Sequence, residues 1–459
     1  MTHQFNPTVL REYDIRGIVG DTLTEADAYA LGRSFAALAR EEGARRIAVG
    51  RDGRTHSGML EAELIRGLTE GGIDVILAGQ GPSPMLYFTT HYLDVDGGIQ
   101  VTGSHNPADY NGFKLLLKGR SVFGQEIQAL GRRSASGHWT EGSGTTEEGD
   151  IREAYVDRLL EGFSGKLYRV GWDAGNGAAG PILDMLVERL PGQHHVIFSQ
   201  VDGRFPNHHP DPTVEANLAD LKALVAREQL DFGIAFDGDG DRIGAVDGKG
   251  RVIWGDQLLM ILAEPVLKEQ PGATIIADVK ASQTLFDRVA ELGGKPLMWK
   301  TGHSLIKSKM KETGAPLAGE MSGHIFFKHR WYGFDDALYA AVRLIEAVSQ
   351  SGKSLTEIMD AMPKAVATPE LRFQVDEAHK FAIVDEVRDR LAAARAKVDA
   401  TDGVRVSTSD GWWLLRASNT QDVLVARAEA ADQSGLDRLV GQIDDHLAKS
   451  GVERVEAVH

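Results

Sequence analysis

The 459-residue chain has no cysteine. That excludes disulfides and thiolate-held metals, so any metal must take oxygen or imidazole ligands. Long apolar runs are also missing. No stretch reaches the roughly eighteen apolar residues of a membrane-spanning helix. The opening segment MTHQFNPTVLREYDIRG has no apolar core, so no signal peptide is expected, and the setting expected is cytoplasmic. Positive charge is scarce. Lys and Arg number 50 against 66 Asp and Glu, for a net charge of −16. Such a balance argues against nucleic acid or an anionic membrane as partner. An anionic small molecule stays compatible if basic side chains gather locally. The length exceeds one hydrophobic core and suggests about three or four domains.

What the chain does contain is a repeat. RRIAVGRDGR (45–54), LYRVGWDAGNG (167–177) and ATIIADVKAS (273–282) are apolar strands running into an aspartate: Asp52, Asp173 and Asp278. Helical spacing follows each, then a second strand: IDVILAG (73–79), HHVIFSQ (194–200) and PLMWK (296–300). After another helical stretch comes a third: GGIQVTG (97–103), LDFGIAF (230–236) and PLAGE (316–320). Unalternating apolar strands suit sheets buried on both faces. The reading is α/β: three similar domains with mixed sheets, then a smaller C-terminal α+β domain, around a central cleft. The boundaries expected are 1–149, 150–252, 253–365 and 366–459. GHWTEGSGTTEEGD (137–150) reads as a loop or linker, and 433–448 as an amphipathic helix.

Each third strand runs into a different polar motif: TGSHNP, DGDGDR and GEMSGH. Ligands of open α/β sheets bind beyond the carboxyl ends of strands, so three loops are expected to share one cleft. In DGDGDR, Asp237, Asp239 and Asp241 alternate with glycines and can converge on a hard cation such as Mg²⁺ or Ca²⁺. An EF-hand fits poorly, because Arg242 and Gly248 stand where glycine and glutamate belong. Ser104 is either a turn residue before Asn-Pro or a phosphoryl carrier working with the metal loop. A serine-hydrolase elbow is absent. In GEMSGH, Glu320, Ser322 and His324 can hydrogen-bond a polyol, or cap a helix. In RASNTQ, Arg416, Ser418, Asn419 and Thr420 can cradle phosphate, or form a plain hairpin turn. Lys114 interrupts an apolar strand, where an edge position facing water is the plainer explanation. GNGAAG (175–180) fits a dinucleotide fingerprint, with Asp202 beyond it. The other two repeats lack that pattern, which favours a local turn.

Taken together these motifs resemble the α-D-phosphohexomutase family, from YDIRG near the start to RASNTQD near the end. TGSHNP with GEMSGH is most similar to the bacterial phosphomannomutase/phosphoglucomutase branch, and less similar to the phosphoglucosamine branch. The resemblance implies reversible interconversion of hexose 1-phosphate and hexose 6-phosphate, for mannose and glucose, through a phosphoserine enzyme and a 1,6-bisphosphate intermediate. It implies one Mg²⁺ per chain, held by Asp237, Asp239, Asp241 and phosphorylated Ser104, with glucose 1,6-bisphosphate as activator. Lys114 and His303 become candidates for proton transfer. Arg16 and Arg242 would contact the phosphoryl group or organise its loop. Tyr13, His105, Asn106 and Lys280 join the sugar and phosphate loops as substrate contacts. A phosphosugar is the partner expected, and a monomer the state. A catalytically silent sugar-phosphate-binding protein is the alternative from another class.

Overall fold

The computed structural model describes residues 2–376, 378–419 and 421–453. Three sheets share one order. In the first, Asp74–Gln80, Arg46–Arg51 and Gly97–Val101 lie parallel, and Tyr110–Leu117 returns antiparallel beside the last. The second sheet repeats this with Gly192–Ile197, Tyr168–Asp173, Phe232–Phe236 and Ile243–Asp247. The third uses Lys295–Trp299, Thr274–Asp278, Leu317–Gly319 and Ile325–Phe327. The polar motifs therefore occupy equivalent strand-to-strand turns, as the repeat implies. The fourth sheet is antiparallel in its pairings, built around Gly411–Ala417 and Val423–Ala430, and packs against the helix Gln433–Ala448.

One expectation needs correction, and one alternative reading falls. The segment read as a linker contributes a strand, Thr146–Glu148, which extends the first sheet beside Asp74–Gln80. Its polar composition hid this, because all three residues are exposed at the sheet edge. Lys114 is not at an edge. Its strand lies between Ile15–Ile18 and Gly97–Val101, and its side chain is buried.

Packing fixes how the repeats meet. The first domain has its own apolar core. The second and third share one, which also takes in Met85, Tyr87 and Phe88. Those three lie on the helix Ser83–Tyr92, so the first domain is keyed into the core of the other two. Burying large aromatic side chains is worth about 1.5–3 kcal/mol each, enough to hold the facing loops in register. Among the described residues, no helix is long and apolar enough to cross a membrane.

Candidate active site

The serine loop is built on a buried ion pair, Asp52 and Arg54, just past the first strand. One oxygen of Asp52 accepts from the Thr102 hydroxyl (2.9 Å) and the Gly103 amide (3.0 Å). The other accepts from the Ser57 hydroxyl and the Arg54 amide. The Arg54 guanidinium donates to the carbonyls of Ser104 (2.8 Å), Asn106 (2.6 Å), Tyr110 (3.0 Å) and Pro107. Phe205 of the second domain covers it, 5.1 Å from ring centre to guanidinium carbon. Ser104 itself has φ of 49°, in the left-handed region. A non-glycine residue there costs about 1–2 kcal/mol, so the surrounding bonds must hold it. Arg16 does part of that work, donating to the Gly103 carbonyl (2.9 Å) and the Asn106 side chain (2.5 Å).

The acidic loop faces that serine. The Ser104 hydroxyl donates to Asp237 at 3.2 Å and lies 3.2 Å from the His105 ring nitrogen Nδ1. A Cβ at Gly238 would collide with the Ser104 carbonyl oxygen, so the two loops meet this closely only with glycine there. Asp237, Asp239 and Asp241 are fully buried, and one oxygen from each gathers within 4.8 Å. Lys114 reaches between them, 2.6 Å from Asp239 and 2.5 Å from Asp241. The Ser83 hydroxyl donates to Asp239 and its amide to the Asp239 carbonyl. Burial, with the charges of Asp239 and Asp241, pushes the Asp237 carboxyl well up. Burial also opposes the charge of Asp241, but Lys114 and His324 outweigh it and hold that group low. Asp239 Oδ1 is buried with no hydrogen-bond partner among the described residues, and Asp241 Oδ1 has only His324 Nε2, at 3.3 Å. Buried carboxylate oxygens normally have one, and these belong to a set that could hold a cation.

The third loop closes on the second. The Ile243 amide donates to the Gly323 carbonyl at 3.0 Å, and Arg242 Nε lies 3.3 Å from His324 Nε2. His324 Nδ1 is 3.0 Å from Glu320, whose other oxygen accepts from the Gly302 amide (2.6 Å). Ser322 lies 3.2 Å from the same ring nitrogen. Burial disfavours the charged imidazole of His324, but Asp241 and Glu320 prevail and raise it to about 9. His303 goes the other way. Burial, then Lys307 and Lys114, hold it well below the usual imidazole range. His105 is likewise held low, by burial and then Arg242 and Arg16.

The fourth domain reaches the cleft through Tyr13. Its hydroxyl donates to the Thr301 carbonyl (2.8 Å) and accepts from the Asn419 amide (2.6 Å), tying three domains together. Arg416 is held by Asp402 at 2.9 Å, and the Ser418 hydroxyl accepts from the Gln421 amide. Thr420 lies outside the described residues. Lys280 is bound to Glu370 at 2.7 Å and lies 3.9 Å from Asp278, which accepts from the Met321 amide of the sugar loop.

The contacts thus link Ser104, Lys114, Arg16, His105 and Asn106 with the three aspartates, Arg242, His303 and the sugar loop. Arg416 and Ser418 lie in the fourth-domain turn that Asn419 ties to Tyr13. Sequence reasoning gave Asp52 no role in the site and passed over Arg54, Ser83 and Asp335. The first two were visible in GRDGR, at a strand's carboxyl end. GNGAAG is a turn under the acidic loop: its Ala178 amide donates to the Gly238 carbonyl (2.9 Å). Asp202 pairs with Arg204 at the surface.

Comparison with known proteins agrees across the chain. Residues 7–139, 153–250 and 254–366 match the alpha/beta/alpha domains I, II and III of phosphoglucomutase/phosphomannomutase, and 370–446 match its C-terminal domain. A phosphomannomutase/phosphoglucomutase of Pseudomonas aeruginosa is 46% identical over 433 residues, 94% of each chain. A phosphoglucomutase of Neisseria gonorrhoeae is 44% identical, over 94% of this chain and 95% of that one. The crystal structure of a phosphoglucomutase/phosphomannomutase family protein from Burkholderia thailandensis superposes with a TM-score of 0.93 at 42% identity. It covers 98% of this chain and 99% of its own.

Proposed function

The chain belongs to the phosphoglucomutase/phosphomannomutase family and interconverts hexose phosphates, and we propose that Ser104 carries the phosphoryl group in that reaction. The observation that carries the proposal is the seat of Ser104: a left-handed backbone braced by buried bonds, with its hydroxyl 3.2 Å from Asp237 of a buried triad of carboxylates. A turn serine needs no such support.

The acidic loop fits Mg²⁺. It offers three hard oxygens, and Asp239 Oδ1 there is buried with no hydrogen-bond partner among the described residues. Asp237, Asp239 and Asp241 would hold one ion per chain together with an oxygen of phosphorylated Ser104. Bound there, the ion would neutralise charge on the phosphoryl oxygens.

The chain's own groups divide the remaining work. The phosphorus–Oγ bond of phosphoserine breaks as a bond forms to the 6-hydroxyl of a hexose 1-phosphate. The hydroxyl proton must leave, and the serine oxygen must be neutralised. His303, kept uncharged by burial and nearby ammonium groups, suits the base. Lys114, whose ammonium reaches between Asp239 and Asp241 beside the serine loop, would be the acid. The bisphosphate then turns over, and Ser104 Oγ takes the phosphoryl group from position 1 as that bond breaks. Glu320, Ser322 and His324 grip the sugar. Tyr13, Lys280, Arg416, Ser418, Asn419 and Thr420 hold the phosphate that is not reacting. Arg16 is committed to the Gly103 carbonyl and Asn106, which favours organising the loop over touching the phosphoryl group. Arg242 and His105 border the transfer site. Glucose 1,6-bisphosphate would act as the activator that phosphorylates Ser104.

Intact-mass spectrometry before and after glucose 1,6-bisphosphate tests this. Wild type should gain the mass of one phosphoryl group, and Ser104→Ala should gain none and lose mutase turnover while still binding hexose phosphate. Near wild-type turnover by Ser104→Ala would end the proposal.

A further inference from the structure

Two buried polar atoms without partners face each other at the edge of this site. Asp335 is fully buried on the short strand Phe334–Asp335, and its Oδ2 has no hydrogen bond. His303 Nδ1 is likewise buried and unpartnered, 4.0 Å from that oxygen. His303 heads the helix His303–Thr313. One turn further on, Lys307 Nζ donates to Asp335 Oδ1 at 3.1 Å, so the helix that carries the imidazole also aims the carboxylate. Lys307 is fixed in turn over the Tyr87 ring, 4.8 Å from its centre. His324 Nε2 also approaches Asp335 Oδ2, at 3.9 Å. That nitrogen already faces Asp241 and Arg242 at 3.3 Å each, whereas His303 Nδ1 has no other partner among the described residues.

A buried carboxylate oxygen and a buried ring nitrogen are each expensive to leave unpaired. A shift of about 1 Å would satisfy both with one hydrogen bond of ordinary length. A neutral imidazole has one N–H and one lone pair. An Nδ1–H directed at Asp335 leaves the lone pair on Nε2, the form in which His303 can accept a proton. The carboxylate then stabilises the imidazolium once the proton is taken. We infer that Asp335, aimed by Lys307, is the positioning residue for His303: it fixes the tautomer and steadies the charge of the base. The inference rests on His303 acting as base in the reading above.

Four chains test it in the mutase assay with saturating Mg²⁺: wild type, Asp335→Asn, His303→Ala and the double variant. Asp335→Asn should lower kcat about 100-fold, the scale of a base in the wrong tautomer, with KM within about threefold of wild type. On the His303→Ala background the same change should alter kcat by less than about twofold, because there is no imidazole left to position. Losses that multiply, or an Asp335→Asn enzyme as fast as wild type, would overturn the inference. A second measurement does not depend on the variants folding. Nitrogen-15 histidine NMR of wild type with Mg²⁺ and glucose 6-phosphate should show His303 protonated at Nδ1 alone; the Nε2–H tautomer would overturn it. If wild type itself shows no mutase turnover, the parent reading fails, while the tautomer still reports on the pair.

Discussion

Arg54→Lys keeps the charge of a buried residue and removes its geometry. The guanidinium serves four carbonyls of one loop, those of Ser104, Asn106, Pro107 and Tyr110. A lysine ammonium has three donors at one point and can reach about two of those oxygens at once. Two charge-assisted bonds are therefore lost, at roughly 1.5–3 kcal/mol each, or about 3–6 kcal/mol of loop anchoring. Stacking on Phe205 goes as well. That loss falls on a serine already held in the left-handed region, so the loop should relax away from its seat. If only about 3 kcal/mol of it appears in the barrier to phosphoryl transfer, kcat falls about 100-fold. The sugar and phosphate loops belong to other domains, so KM should stay within about threefold. The assay is steady-state turnover of glucose 1-phosphate, paired with hydrogen exchange of residues 102–110, which should lose protection. An Arg54→Lys enzyme with wild-type kcat and unchanged protection would refute the idea that the pair Asp52–Arg54 holds the serine loop.

Three other outcomes are expected. Chelation should stop turnover and Mg²⁺ restore it, and Asp239→Asn should raise the Mg²⁺ needed for half-maximal rate, because one of three charged ligands becomes neutral; full activity in excess chelator would contradict the acidic-loop assignment. Glucose and mannose differ only at carbon 2 and galactose at carbon 4, so if Glu320 and Ser322 grip the 3- and 4-hydroxyls, glucose 1-phosphate and mannose 1-phosphate should turn over within about tenfold of each other in kcat/KM, about 1.4 kcal/mol, with galactose 1-phosphate far poorer; equal turnover of the galactose compound would sink that grip. Glu370, which Lys280 holds down at about 2, lies below the ordinary carboxyl value. Its contribution is therefore present above about pH 4 and lost as pH falls through about 2. Acidification from about pH 5 to 2.5 should loosen the fourth domain's hydrogen-exchange protection more in wild type than in Glu370→Gln, and equal loosening would refute the link.

The succession of strands along the chain was legible because most are apolar runs ending at a polar turn, and the same succession occurs three times. The site was legible for the same reason. A repeat that places TGSHNP, DGDGDR and GEMSGH at equivalent turns implies one cleft without any contact being known. What escaped were residues whose importance is a matter of distance alone. Asp335 is one of two adjacent aspartates before a helix, and its neighbour Asp336 caps that helix through the Tyr339 amide. Nothing in the chain says that Asp335 turns inward to Lys307 and His303 while Asp336 serves the backbone. Lys114 was open to two readings, since a lysine inside an apolar strand can equally be an edge residue until its partners are known. Those partners, Asp239 and Asp241, sit on another domain. A cation buried in one repeat is tolerable only because carboxylates of the next repeat receive it. That is a property of the assembled cleft, and no window along a single strand contains it.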